Sequence, residues 1–364
     1  MILARYMARR YLLSFLGVLV VMGGILLLID MVEQLRRFAG DGLSLGGALR
    51  LAALRMPASL YAVLPLVAIL SAIAMFVTLA RNSELVVARA VGRSALHVVA
   101  APALVALVLG AVAVGVLNPL VAGTSRVYDA AIAELGGEDA SLLSVGRDGL
   151  WLREGTPEGQ RVIRATYGSA DGAVLSGVSI MGFDAGVDPD ERIEADTARL
   201  HDGVWMLEGV KHWDLTLPNP EAQAVLHATL RLPTELTPAA LRQSFGTPAS
   251  IPIWQLPGFI ATLDRAGFAA LEHRVWFQTE LALPAMLLAM VLVGAAFTMG
   301  HIRAGRQGVM VLAALLAGFG AFFLRDFAQV LGENGQIPAA LAAWSPPAVA
   351  ALLALALILH LEEG

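Results

Sequence analysis

Ser44, within Gly42-Leu43-Ser44-Leu45-Gly46, has the Gly-x-Ser-x-Gly spacing that presents a nucleophile on a strand-to-helix elbow. No strand-like stretch precedes it, so the turn that would raise the hydroxyl is missing and the match reads as chance. The seven histidines stand singly, and Asp188-Pro189-Asp190-Glu191 lacks the alternation of a calcium loop, so neither offers a metal-ligand set. Nucleotide hydrolysis is excluded more firmly. A phosphate-binding loop ends in Gly-Lys-Ser/Thr, and the only lysine is Lys211, between Val210 and His212. Cysteine is absent, which removes disulfides, thiolate zinc sites and cysteine nucleophiles.

What remains is charge placed at the ends of apolar runs. Arg36 and Arg37 close the first run in Val32-Glu33-Gln34-Leu35-Arg36-Arg37-Phe38. Two readings fit the pair: snorkelling arginines that anchor a helix end, or guanidinium groups that recognise an anionic, phosphate-like ligand. Arg325-Asp326 reads as a mutual pair inside a helical bundle. Residues 81–94, Arg-Asn-Ser-Glu-Leu-Val-Val-Ala-Arg-Ala-Val-Gly-Arg-Ser, form a short charged segment between two long apolar runs. Asn82 or Ser83 serves as N-cap, Glu84 lies in the first turn, Arg89 near the end, and Gly92 is a natural stop. Its apolar face is small and its charges are mixed in sign, so it reads as a protein-docking helix rather than a membrane-surface one.

The elements that must position these residues are mostly membrane helices. The chain has 364 residues, 57% hydrophobic and 15% charged, with a mean hydropathy of +0.70, too apolar for a soluble globule. Apolar runs at about 11–29, 60–80, 96–117, 277–299, 309–327 and 346–361 each approach the roughly 20 residues that a bilayer requires. The first is too long for a signal-peptide core and has no Ala-x-Ala site, so it reads as a retained helix. Arg5, Arg9 and Arg10, then Arg81, Arg89 and Arg93, then His301, Arg303 and Arg306 all fall on one side of these runs. By the positive-inside rule that side is the cytoplasm, and both termini lie there.

Residues 119–274 carry 12 basic and 21 acidic side chains, a net of −9 against +4 for the rest. Within this acidic region, 161–167, 174–183, 192–200, 204–215 and 224–232 alternate as half-buried strands, with hairpin turns at Asp171-Gly172 and Asp202-Gly203. An amphipathic helix over 253–266, stopped by Gly267, leads into the fourth span. The expected fold is a polytopic α-helical membrane protein of about six transmembrane helices, with a periplasmic all-β, jelly-roll-like domain of six to ten strands inserted between helices 3 and 4. Its expected parts are 1–134 with the cytoplasmic helix 81–94, the β domain 135–250, and 251–364.

Four runs, in order along the chain, resemble the YjgP/YjgQ family, the LptF and LptG permeases of lipopolysaccharide export. They are Arg5-Tyr6 with Arg9-Arg10, then Asp30-Met31-Val32-Glu33-Gln34-Leu35-Arg36-Arg37, then Ser83-Glu84-Leu85 with Arg89-Ala90-Val91-Gly92-Arg93-Ser94, and last Leu263-Asp264-Arg265-Ala266-Gly267 with His273 and Pro284. The ending of the first helix is closer to the LptG side of the family. The resemblance implies a non-catalytic inner-membrane subunit of a Gram-negative bacterium. Such a subunit pairs with an LptF-like sibling on an LptB-like ATPase dimer, which holds the ATP and magnesium, this chain holding no cofactor. Lipopolysaccharide would pass to LptC/LptA-like periplasmic jelly-roll proteins, and no nucleic acid is involved.

The resemblance further implies that Ser83, Glu84, Leu85, Arg89 and Gly92 dock on the ATPase, with Glu84 making the charged contact, and that Arg36 and Arg37 meet lipid A phosphates or inner-core sugars. Asp30 stands where some relatives place a further basic residue, which removes a third positive contact. The competing expectations are the sibling LptF, and a membrane-anchored scaffold whose β domain binds a periplasmic partner.

Overall fold

The computed structural model describes residues 2–38, 44–90, 92–135, 142–143, 150–156, 159–169, 174–184, 189–201, 203–234, 248–265, 270–299 and 307–363. They fall into two units: a helical unit of Met1–Tyr128, Pro248–Pro257 and Leu271–Gly364, and a β unit of Asp129–Thr247 and Gly258–Ala270.

Helix α1 runs unbroken over Ile2–Arg37, about 54 Å at 1.5 Å per residue. Its buried residues, Met7, Tyr11, Phe15, Gly23, Asp30 and Gln34, recur at helical spacing and form one narrow stripe. A second helix, α2 (Leu45–Ala62), follows where the sequence reading has only a loop and the start of the second span. Arg50, Arg55 and Pro57 interrupt its apolar pattern, which is why hydropathy passes over it. Ser44 is its N-cap: the hydroxyl accepts the Gly47 N–H at 3.2 Å. That gives the Gly-x-Ser-x-Gly serine a structural role.

Helix α3 (Leu64–Arg81) leads through a tight turn to α4 (Glu84–Ala90), then α5 (Ala95–Val112). The last continues through a π turn, Ala113–Leu117, into α6 (Asn118–Leu135). After the β strands come α7 (Leu256–Arg265), α8 (Leu271–Thr298), α9 (Gln307–Glu333) and α10 (Ala339–Glu363). Among the described residues six helical stretches are long and apolar enough to cross a membrane: Ile2–Arg37, Leu64–Arg81, Ala95–Asp129, Leu271–Thr298, Gly308–Glu333 and Ala339–His360. The six expected spans are all present, and the last begins earlier than expected because Pro346 and Pro347 lie inside the helix rather than before it.

Helix α8 is the centre of the helical unit and packs on α3, α5, α9 and α10. Small residues permit this. A Cβ on Gly110 of α5 would sit 2.5 Å from the Pro284 Cα of α8, and one on Gly294 of α8 would sit 2.8 Å from the Ala72 Cβ of α3.

The β unit holds one antiparallel sheet: β1 (Leu142–Leu143), β2 (Leu150–Thr156), β3 (Gly159–Ser169), β4 (Val174–Asp184), β5 (Pro189–His201), β6 (Val204–Asp214) and β7 (Val225–Pro233). β1 and β2 both pair with β3, and the order then follows the chain from β3 to β7. Ile163, Leu175, Val178, Ile180, Ile193, Trp205, Leu207 and Val210 form its core. Gly203, at φ +74°, supplies the β5–β6 turn; the expected Asp171-Gly172 turn and Asp202 lie outside the described residues.

Candidate functional site

Within the segment 81–94 the structure describes a short helix and a glycine stop. Helix α3 ends at Arg81, Asn82 is its C-cap, and Ser83 takes φ +58° before α4 begins at Glu84. Neither Asn82 nor Ser83 caps through its side chain in the expected way. Asn82 Nδ2 instead donates to Glu84 Oε1 at 3.3 Å, and the Ser83 carbonyl accepts the Val87 N–H at 3.2 Å. Gly92, at φ +79°, ends the segment as expected, with the Arg93 N–H donating to the Ala88 carbonyl at 3.3 Å. Ser94 then caps α5, its hydroxyl accepting the His97 N–H at 3.2 Å.

Two of α4's neighbouring residues, Leu85 and Ala88, are buried in the core of the helical unit, while Val86 and Val87 are 60% and 62% exposed. The valines therefore form the apolar surface that α4 offers outward, and Leu85 secures the helix from within. Arg89 is placed by its backbone alone. Glu84 is half-buried, and its Oε2 accepts the Tyr6 hydroxyl of α1 at 2.8 Å. A cavity of about 710 Å³ opens beside this contact, between the first turns of α1 and the α4 segment, with Met7, Val87 and Arg93 on its wall. The sequence placed Tyr6 in the same resemblance as Glu84; the structure brings the two into contact.

At the other end of α1, Arg36 and Arg37 are both exposed, and the Arg37 guanidinium lies 5.6 Å from the centre of the buried Phe38 ring. Beneath them, Gln34 is fully buried and its Nε2 donates to the Tyr128 hydroxyl of α6 at 2.8 Å. Arg55 of α2 lies 6.0 Å from the centre of the same Tyr128 ring. One turn earlier Asp30 is 9% exposed and accepts the Ser59 hydroxyl at 2.9 Å, so its charge is turned inward to α2. Arg55 is thus a third exposed basic residue near the end of α1. Sequence reasoning missed it because α2 was not recognised; Arg50 and Arg55 inside an otherwise apolar stretch were the available signal.

Arg325 and Asp326 do not form the mutual interior pair expected of them, since Asp326 is exposed. The arginines at 303 and 306 lie outside the described residues.

The chain matches, over residues 5–360, the family described as lipopolysaccharide export system permease LptF/LptG. It belongs to the LptF/LptG family. It is 27% identical to the lipopolysaccharide export system permease protein LptG of Escherichia coli K12, across 97% of this chain and 94% of the relative. The LptG protein of Haemophilus influenzae is 25% identical across 92% and 91% of the two chains. The matched residues take in both units of this LptF/LptG member.

Proposed function

We propose that the chain is a permease subunit that extracts lipopolysaccharide from the inner membrane and passes it to a periplasmic bridge, driven by ATP hydrolysis in a partner. Membership of a lipopolysaccharide export permease family supports the substrate, and the relatives' LptG names favour that side of the pair. The observation that carries the mechanism is α4: a short helix between two spans, held to α1 by the Tyr6–Glu84 hydrogen bond and presenting Val86 and Val87 outward. The ATP and magnesium are assigned to an LptB-like ATPase dimer, in keeping with a sequence whose one lysine, Lys211, lies in no phosphate-binding loop.

In this reading α4, with Ser83, Glu84, Leu85, Arg89 and Gly92, receives the closing motion of the ATPase. An LptF-like sibling completes the pathway, and LptC/LptA-like jelly-roll proteins accept the lipid. Arg36 and Arg37 hold the anionic headgroup, with Arg55 of α2 beside them. Guanidinium groups suit phosphates because they offer forked donors and stay charged. Both termini and α4 are cytoplasmic and the β unit periplasmic, in keeping with the arginines flanking the spans.

The test is co-purification from native membranes of the wild-type chain beside Glu84→Arg. Recovery of an ATPase and a sibling permease with wild type, and at least tenfold less ATPase with Glu84→Arg, is the expected result. Equal ATPase recovery with the variant would remove α4 from the interface.

A further inference from the structure

Glu280 lies in α8 within a candidate membrane span and is 2% exposed. A carboxyl group at such a site is costly unless it is partnered, and such residues are rare in spans. Its Oε2 accepts two side chains distant in sequence: the Tyr61 hydroxyl near the end of α2, and Asn118 Nδ2 at 3.1 Å.

Asn118 extends the network. It is 3% exposed and begins α6 directly after the π turn, and its Oδ1 accepts the Ile253 backbone N–H at 2.9 Å. One residue further, Trp254 Nε1 donates to the Gly115 carbonyl inside the π turn at 3.3 Å. A π turn disturbs the regular ladder of backbone bonds, which leaves a carbonyl such as that of Gly115 accessible to a side chain. By chain order, the helical unit ends first at Tyr128 of α6, resumes over Pro248–Pro257, and resumes again at Leu271, where α8 begins. Asn118 bonds to both the returning backbone and α8. Ala113 and Val114 of the π turn and Ile253 already share the apolar core with α8, and Glu280 adds the polar tie that fixes their position.

We infer that Glu280 is a positioning residue: it pins the start of helix α6 and the segment at Ile253 to α8 and α2, so that these parts of the helical unit move as one body. A buried polar network in a low-dielectric interior resists partial opening, because each broken bond strands a polar group. This inference rests on the permease reading for its purpose, since a rigid joint within the helical unit matters to transport only if the helices move during it. The geometry of the joint does not depend on that reading.

The absence of native cysteine allows nitroxide labels to be placed at Leu120→Cys on α6 and Leu281→Cys on α8, both exposed residues, in the full chain with its co-purifying partners. Pulsed electron paramagnetic resonance is expected to give one narrow distance that is unchanged by ATP and vanadate. Asn118→Ala should at least double its width. Tyr61→Phe, a milder change, should broaden it less, and Glu280→Gln, which keeps an acceptor oxygen, should leave it narrow. A wild-type distance that shifts with nucleotide, or an unaltered width in Asn118→Ala, overturns the joint.

In proteoliposomes, lipopolysaccharide delivered per ATP hydrolysed should fall about fivefold in Asn118→Ala at a temperature where the variant is folded. An unchanged ratio overturns its part in transmission. Failure of the wild type to deliver any lipid would instead sink the permease reading, while the distance measurement still decides the joint.

Discussion

Helices α1 and α8 are both apolar and both long enough to span a bilayer, yet they use their surfaces in opposite ways. In the most apolar window of α8, 72% of residues are buried within the chain, against 11% in α1 and 17% in α9. Leu13, Leu16, Val20, Val21, Leu28 and Ile29 of α1 face outward, as do Leu316, Phe319, Phe323 and Phe327 of α9. Hydropathy does not separate the two kinds of helix, because a lipid tail solvates leucine as well as another leucine does. Close approach at small residues occurs in both kinds, where Gly110 meets Pro284 and Gly294 meets Ala72 at α8, and where Gly332 of α9 meets Ala342. The difference lies in how many faces are covered: α8 is surrounded by other helices, and the outer helices keep large side chains exposed.

The largest expected effect tests the central side of this contrast. In Gly110→Leu the new Cβ would stand 2.5 Å from the Pro284 Cα, which is backbone and has no rotamer to yield. Overpacking of this kind costs about 3 kcal/mol, the upper end of the usual range. Thermal unfolding of the detergent-solubilised chain should show a large loss of melting temperature. A wild-type melting temperature would mean that α5 and α8 are not in close contact.

The outer side predicts the opposite division of effects. Leu16→Ala on α1 with Phe323→Ala on α9 removes exposed side chains only, so the isolated chain should stay within about 0.5 kcal/mol of wild type. Recovery of the sibling permease should nevertheless fall about tenfold, equivalent to about 1.4 kcal/mol of association. Full recovery would assign these faces to lipid.

This division explains what was legible in the sequence. The spans and the strands could be read because period and length are local properties: the alternation at 161–167 and 192–200 corresponds to β3 and β5. Gly92 could be read as a stop because a positive φ demands glycine. Helix α2 could not, since Arg50, Arg55 and Pro57 break its pattern and only contact with α1 shows it as a packed helix. The partners of Glu280 were hidden for a different reason. Tyr61 and Asn118 lie 219 and 162 residues away from it, and nothing in their local sequence records that separation being closed. Leu85 and Val86 make the same point within one helical turn, since hydrophobicity alone does not say which faces the core.

The smallest predicted effect concerns the end of α1, where an exposed helix finishes in exposed charge. Arg36→Ala and Arg37→Ala together should lower photocrosslinking to lipopolysaccharide about fivefold, since one charge-assisted contact is worth about 1.5 kcal/mol before solvent screening. Arg55→Ala should produce a smaller loss, about twofold, because part of its charge is engaged by the Tyr128 ring. Raising the salt concentration should weaken wild-type crosslinking and bring it towards the variants, as expected for exposed charges meeting an anion. If the arginines only anchor the helix end, crosslinking will be unchanged in both variants and insensitive to salt. The exposed surface of α1 would then end in a membrane anchor, and headgroup recognition would have to be sought among the partner's residues.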